Sequence, residues 1–281
     1  MNYIITGGTG FIGTHLTNLL NEVHPEAKVW NLDIVKPGTP NPVVKNYKPA
    51  VKEGEKLGST YIECDVRKPI VNLPFEPTPE DVVFNFAAVH RTPGHEDREY
   101  FETNIRGAEN VCAFAEKYGI KNMVFTSSIA PYGASEELKT EDTLPTPNTA
   151  YGISKLVAEK IHLAWQKGGN CHTDPTDLTD GQTTPPNGTP PNLGGERRLL
   201  IVRPGVVFGK GENGNSIIMP MAACAKMVGS PMGICPARVR KLQISTNICG
   251  KRMAESGYKF KYTFEEALAD WYADNKGLYL E

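Results

Sequence analysis

Tyr151 and Lys155 stand four residues apart in a segment with helical periodicity. Residues with this spacing lie on one face of a helix, so their side chains can meet. A nearby ammonium favours the phenolate and would bring the pKa of the tyrosine down from about 10 toward working pH. Such a tyrosine can take a proton from a substrate hydroxyl during an oxidation, or return one in a reduction. The pair predicts a redox site, with a surface Tyr and Lys on an amphipathic helix as the alternative.

Two serines, Ser127 and Ser128, end the apolar run that contains Phe125 and Thr126. If this run is a strand of an open α/β sheet, the serines lie at its carboxyl edge, where ligands of such folds bind. A hydroxyl at that edge can hydrogen-bond the reacting oxygen. Ser127 is a candidate for substrate contact, although a strand-end serine bonded to the backbone is the commoner arrangement.

A glycine-rich turn near the start of the chain could hold a dinucleotide. Gly7, Gly10 and Gly13 lie between a predicted strand and a predicted helix, and Phe11 and Ile12 belong to the same turn. Glycine permits a tight turn and close backbone approach, and the helix N-terminus offers unpaired N–H groups to a pyrophosphate. A glycine turn that only packs helix on strand is the alternative.

Asp33 follows Gly13 by twenty positions and ends the second predicted strand. A carboxylate there accepts hydrogen bonds from the adenine ribose hydroxyls and repels a 2′-phosphate. The pattern therefore favours NAD over NADP, with nearby Lys36 as the opposing feature.

Short apolar runs alternate with segments of helical period, which predicts an α/β fold with a doubly wound parallel sheet. The predicted strands are Tyr3–Thr6, Val29–Leu32, Tyr61–Cys64, Val82–Phe86, Met123–Thr126 and Leu199–Val202. The predicted helices between them are Phe11–Val23, one near Asp97–Tyr118 closed by Gly119, and one from about Asn148 to Lys167.

Two segments break this alternation. Residues 168–195 are rich in proline and poor in apolar side chains, which predicts a mobile, disordered surface loop. Beyond Gly209 we predict helices at Ser216–Val228, near Thr246–Ser256, and after the capping box that begins at Thr263. The prediction is a cofactor domain over 1–209 and a short, mostly helical substrate lobe over 210–281.

The composition indicates an enzyme of small molecules rather than a nucleic-acid or membrane protein. The formal net charge is −2, with no long run of one sign. The first residues lack the basic and apolar regions of a secretory signal, so we expect no leader, and no apolar stretch is long enough to cross a bilayer. The 6 cysteines are scattered, which favours reduced thiols in a cytoplasmic protein over a disulfide framework or a metal site.

The glycine spacing, together with the later Tyr-x-x-x-Lys, resembles the short-chain dehydrogenase/reductase superfamily. The resemblance is strongest to its extended branch, which includes NAD-dependent nucleotide-sugar epimerases and dehydratases, and it implies a Rossmann fold. It also implies that Ser128 is the catalytic serine and that Lys155 holds the nicotinamide ribose. The further cofactor contacts that it implies are Asp65, Val66, Ala87, Ala88, Asn104, Arg203 and Pro204.

Three possible functions remain after dehydration is set aside. Dehydratases of this branch carry Thr-Asp-Glu where this chain has Ser128, Ile129 and Ala130. Epimerisation of a nucleotide-activated sugar, carbonyl reduction and non-catalytic NAD binding stay open, and Asp33 favours the epimerase. His90, with Arg91 and His95 nearby, could contact the substrate, solvated loop residues being the alternative. A homodimer is compatible with each reading.

Overall fold

The computed structural model describes residues 1–39, 51, 55–90, 95–168, 197–205, 247–259 and 262–274. The predicted loop 168–195, the helix at Ser216–Val228, Arg91 and the proposed domain boundary at Gly209 lie outside these residues, apart from Gly168. In the part that the structure describes, no helix is both long enough and apolar enough to traverse a bilayer.

Six parallel strands form one sheet in the order β3-β2-β1-β4-β5-β6. The strands are β1 Asn2–Thr6, β2 Lys28–Asp33, β3 Thr60–Glu63, β4 Val82–Asn85, β5 Asn122–Thr126 and β6 Arg198–Val202. The strand order reverses between β1 and β4, and dinucleotides bind across the crevice at such a point. The predicted doubly wound sheet is confirmed.

Helices cover both faces of the sheet. They are α1 Phe11–Val23, α2 Asp97–Tyr100, α3 Arg106–Lys117 and α4 Ala150–Gln166, with a 3-10 turn at Ala130–Tyr132. Along β1, Tyr3 and Ile5 pack with Leu20 of α1, whereas Ile4 packs on the other face with Val111 of α3. The alternation follows from the two-residue period of a strand, and it buries β1 on both sides.

The helix predicted near Asp97–Tyr118 is interrupted. A π-helical turn over Phe101–Ile105 separates α2 from α3, and Gly119 follows α3 with a φ of 66°. A π-turn widens the helix by one residue and often marks a functional site. Here it contains Asn104, whose amide makes three contacts described below.

Near the carboxyl end the structure has α5 Lys251–Glu255 and α6 Phe264–Asp274. The prediction of a helix from Thr246 was wrong at its start, because Asn247 and Cys249 instead hydrogen-bond the backbone of Lys139 in a parallel bridge. The capping box is confirmed: Thr263 Oγ1 accepts from the Glu266 N–H at 3.2 Å, and Glu266 accepts from the Thr263 N–H at 2.8 Å.

Candidate functional site

The glycine turn has the geometry of a phosphate-binding loop. Gly7 has a φ of +70°, and a Cβ at this position would lie 2.7 Å from the Ala87 nitrogen. A Cβ on Gly13 would lie 2.6 Å from Gly8. A side chain at Gly7 would therefore push the turn away from the end of β4, and a side chain at Gly13 would push α1 away from the turn.

Helix α1 begins with open N–H groups. Gly10 is its N-cap, with no side-chain cap and no acidic residue in the first turn. The first N–H groups of a helix lack intrahelical partners, and the helix dipole adds positive potential there. Phe11, Ile12 and Gly13 thus present donors suited to a pyrophosphate.

Asp33 ends β2 beside the glycine turn. Its two carboxylate oxygens accept from the N–H of Thr9 at 3.1 Å and from the N–H of Val35 at 3.0 Å. Burial raises the pKa of Asp33, against these hydrogen bonds, which lower it. Each oxygen keeps a lone pair, so the carboxylate can still accept from ribose hydroxyls. The preference for NAD stays a prediction.

Asp65 and Val66 follow β3 and are already engaged within the protein. Arg67 donates to both carboxylate oxygens of Asp65, at 2.9 and 2.7 Å, and this hydrogen bonding lowers the pKa of the acid. Val66 is buried, and its carbonyl accepts from Asn110 Nδ2 at 2.7 Å. Their predicted adenine contacts stay predictions.

The side-chain amide of Asn104 links the segment after β4 to helix α4. Its Oδ1 accepts from the Val89 N–H at 2.8 Å, while Nδ2 donates to the Val89 carbonyl at 3.1 Å and to Ser154 Oγ at 2.9 Å. Both amide hydrogens are thereby used inside the protein. The structure gives Asn104 a positioning role, and the cofactor contact that the resemblance implied stays a prediction.

The residues just after β4 lie at the crevice. Ala87 lies against Gly7, since a methyl group at that glycine would come within 2.7 Å of the Ala87 nitrogen, and Ala88 follows it in the same half-buried segment. His90 is exposed two residues further on, so its predicted substrate contact stays a prediction. His95 is bonded to Glu99 at 2.8 Å on the first turn of α2.

Tyr151 and Ser128 meet at the carboxyl end of β5. Their side chains are hydrogen-bonded, and Ser128 Oγ also accepts from the Ala130 N–H at 3.1 Å. Burial raises the pKa of Tyr151, Tyr100 adds to the rise, and the bond with Ser128 opposes it. A reacting oxygen beside these two hydroxyls could exchange a proton with Tyr151 while Ser128 holds it.

Lys155 is more deeply buried in the protein than its four-residue spacing from Tyr151 suggests. It is 2% exposed, and its Nζ donates to the Thr126 carbonyl at 2.6 Å and sits 4.2 Å from the Phe125 ring centroid. Burial lowers its pKa to about 7, and the charge of Glu159 opposes this. The expectation that Lys155 lowers the pKa of Tyr151 was wrong for the unliganded chain, since burial of the phenol dominates.

Ser127 and Arg203 join a buried network rather than the open site. Ser127 is 3% exposed, and its hydroxyl donates to Glu159 Oε1 at 2.5 Å. Arg203 donates to both oxygens of Glu159, at 2.8 and 2.6 Å, and to Tyr132 Oη at 2.7 Å. The substrate contact predicted for Ser127 and the cofactor contact predicted for Arg203 stay predictions; in this structure both side chains hydrogen-bond the buried Glu159.

The sequence reading missed Glu159 itself, although its position gave a signal. It lies four residues after Lys155 and thus on the same face of α4. Pro204 borders this network, since its carbonyl accepts from the Ile129 N–H at 3.1 Å. That bond ties the segment after β6 to the segment after β5.

Comparison with known proteins gives consistent matches. A model of the NAD dependent epimerase/dehydratase family matches residues 3–231. N-acetyl-alpha-D-glucosaminyl-diphospho-ditrans,octacis-undecaprenol 4-epimerase of Escherichia coli O157:H7 is 28% identical over 214 residues, which are 76% of this chain and 51% of that protein. Bifunctional UDP-glucose 4-epimerase and UDP-xylose 4-epimerase 3 of Arabidopsis thaliana is 34% identical over 167 residues, 57% of this chain and 46% of that one.

The chain spans about half the length of these curated relatives. Among solved structures, MoeE5 in complex with UDP-glucuronic acid and NAD superposes with a TM-score of 0.59 at 18% identity, covering 99% of this chain and 100% of that one. At this identity the match speaks for the fold alone.

Proposed function

Because the chain belongs to the NAD dependent epimerase/dehydratase family, we propose that it binds NAD and epimerises a nucleotide-activated sugar through transient oxidation of a ring carbon. The observation that carries this proposal is the hydrogen-bonded pair of Tyr151 and Ser128 at the sheet edge that also holds the glycine turn. Both relatives described above are 4-epimerases, which favours carbon 4 as the reacting centre.

The residues of the crevice fit the cofactor. The open N–H groups at the start of α1 suit its pyrophosphate, and Asp33 suits the adenine ribose. When bound, NAD would accept a hydride from the sugar carbon and give it back. Ile129 and Ala130 carry no acidic group, so Tyr151 and Ser128 have no acid at these two positions that could drive loss of water from the sugar.

Tyr151 is the residue that accepts and returns the proton in this proposal. In its phenolate form it takes the proton of the sugar hydroxyl as that carbon is oxidised, and Ser128 holds the same oxygen by hydrogen bonding. After the keto sugar turns its other face to the cofactor, Tyr151 returns the proton to that oxygen. The proton and the hydride both come back, so the reaction consumes no net NAD.

The test is to incubate the protein and its Tyr151→Phe variant with UDP-hexoses and UDP-N-acetylhexosamines and to follow the epimer ratio by chromatography. Denaturing the protein and measuring released NAD(H) gives the cofactor independently. We expect conversion by the parent alone. Steady loss of added NADH with a keto sugar would replace the proposal with a reductase, and bound NAD with no conversion of any sugar would replace it with a binding protein.

A cytoplasmic location and a homodimer complete the proposal. The cysteines Cys64, Cys112 and Cys249 are free thiols, as expected of a reducing compartment. Cell fractionation tests the first, and light scattering of the purified chain tests the second. A monomer at working concentration would exclude the dimer.

A further inference from the structure

We propose that Glu159 is a positioning residue for the catalytic pair: through Arg203 it fixes α4 against the ends of β5 and β6, and it supplies the negative charge that Lys155 faces inside the protein. This deepens the proposed function, which needs Tyr151 and Lys155 in register with Ser128.

The first support is geometric. Glu159 is 1% exposed on α4, the helix that carries Tyr151 and Lys155. Its carboxylate takes three hydrogen bonds, one from Ser127 just after β5 and two from Arg203 just after β6. One carboxylate thus joins three elements whose ends form the candidate site.

The second support is continuity with the reacting groups. Ser127 precedes Ser128, the partner of Tyr151, so the bond between Ser127 and Glu159 fixes the backbone that presents Ser128. Arg203 continues to Tyr132 Oη at 2.7 Å, which closes the network onto the 3-10 turn that follows Ser128. A shift of Glu159 would therefore move both members of the hydroxyl pair.

The third support is electrostatic. Lys155 is surrounded on β5 by the Phe125 ring and the Thr126 carbonyl, neither of which carries a net charge. On its own helix it faces Glu159 and His162, and burial lowers the pKa of that histidine to about 4, so the histidine is neutral near pH 7.

Among the described residues, the other charged and titratable groups of this network and the buried side of its helix are Arg203, which follows β6, Tyr132 from the 3-10 turn and Tyr151. Glu159 is then the one anion among these groups, and Arg203 partly offsets its charge. Removing the carboxylate should therefore lower the pKa of Lys155, whereas removing the guanidinium that offsets this carboxylate should raise it.

The experiment measures the titration of the Lys155 side chain by NMR of unliganded protein labelled at lysine Cε and Nζ, with the signal assigned by its loss in Lys155→Met. In Glu159→Gln the titration midpoint should fall by about one pKa unit. In Arg203→Met it should rise by about the same amount, since the carboxylate is no longer neutralised.

Glu116→Gln is the matched control. Glu116 pairs with Arg197 at 3.3 Å, and Arg197 precedes β6 just as Arg203 follows it, so this ion pair lies at the opposite edge of the sheet. Loss of this ion pair should leave the titration midpoint of Lys155 unchanged and should lower the free energy of unfolding. The pH profile of kcat should shift in each variant in the same direction as the titration midpoint of Lys155.

A merely structural role predicts a different sign. If Glu159 only packs the elements together, both variants would loosen the site, hydrate Lys155 and raise its midpoint together. A rise in both, or no shift in either, would overturn the proposal. Glu159→Gln is the deciding variant, because both accounts predict a rise in Arg203→Met. If Glu159→Gln fails to fold, the neutral variant Glu159→Met takes its place, with the same fall expected and a rise overturning the proposal. Because no cofactor or sugar is present in this measurement, its failure is separate from failure of the proposed epimerisation.

Discussion

Replacing Lys155 with methionine should change how the stability of the protein depends on pH. The side chain is buried, and its pKa falls from an ordinary 10.5 to about 7 in the fold. Methionine keeps much of the length and volume and carries no charge. The variant therefore isolates the cost of holding an ammonium in this position.

The sign follows from proton binding in the two states. Below pH 7 both the folded and the unfolded parent hold the proton, and the folded state carries the full cost of the buried charge. Between about pH 7 and 10.5 the unfolded chain binds more protons, so the free energy of unfolding rises with pH. Above 10.5 both states are neutral and the cost disappears.

The magnitude comes from the size of the depression. Each pKa unit is worth about 1.4 kcal/mol, so the cost below pH 7 is at most roughly 5 kcal/mol. Between pH 6 and 9 the stability advantage of Lys155→Met over the parent should shrink by roughly 2–3 kcal/mol. Loss of the hydrogen bond to the Thr126 carbonyl adds a cost of about 1–3 kcal/mol that is the same at every pH.

The assay is urea unfolding of both proteins at several pH values, with the difference in free energy plotted against pH. Lys160→Met is the control, because Lys160 is exposed on the same helix and its removal should give a flat difference. A flat difference for Lys155→Met as well would refute the account, since it would mean that the buried lysine titrates as it does in the unfolded chain.

Three further outcomes follow from the site. Tyr151→Phe should lower turnover by about 10²–10⁴-fold with cofactor affinity largely kept, and activity within a few-fold of the parent would refute the proton-transfer role. Asp33→Ala should narrow the gap between NAD and NADP binding measured by titration, and equal binding by the parent would sink the assignment. Gly7→Ala should weaken NAD binding and lower the melting temperature, because its methyl would meet the Ala87 nitrogen; an unchanged NAD titration and melting curve would show that the turn relaxes freely.

Much of the fold could be read from local patterns. Strand β1 and helix α1 follow from a two-residue and a three-to-four-residue apolar period, and each period encodes the face that must be buried. The glycine turn was also readable, because a φ of +70° at Gly7 is a local demand on one residue type. The family assignment rested on these patterns together with Tyr151 and Lys155, and the match over residues 3–231 confirms it.

The π-turn could not be predicted from periodicity. The spacing of Phe101, Ile105 and Ala108 fits an unbroken helix, and nothing in it reveals that Asn104 will bond Val89 and Ser154. Those partners are 15 and 50 residues away in sequence. They meet only because the sheet order places α4 beside the segment after β4.

By itself, then, the sequence determined the parallel sheet, most of its helices and the candidate pair of Tyr151 and Lys155, since these depend on neighbours within a turn or two. Only the tertiary structure decided how those residues are used. Ser127 and Arg203 hydrogen-bond Glu159, from which they are 32 and 44 residues away in sequence. Lys155 hydrogen-bonds the Thr126 carbonyl, 29 residues away. Burial then sets the pKa values of Tyr151 and Lys155, because the cost of a charge depends on everything packed around it.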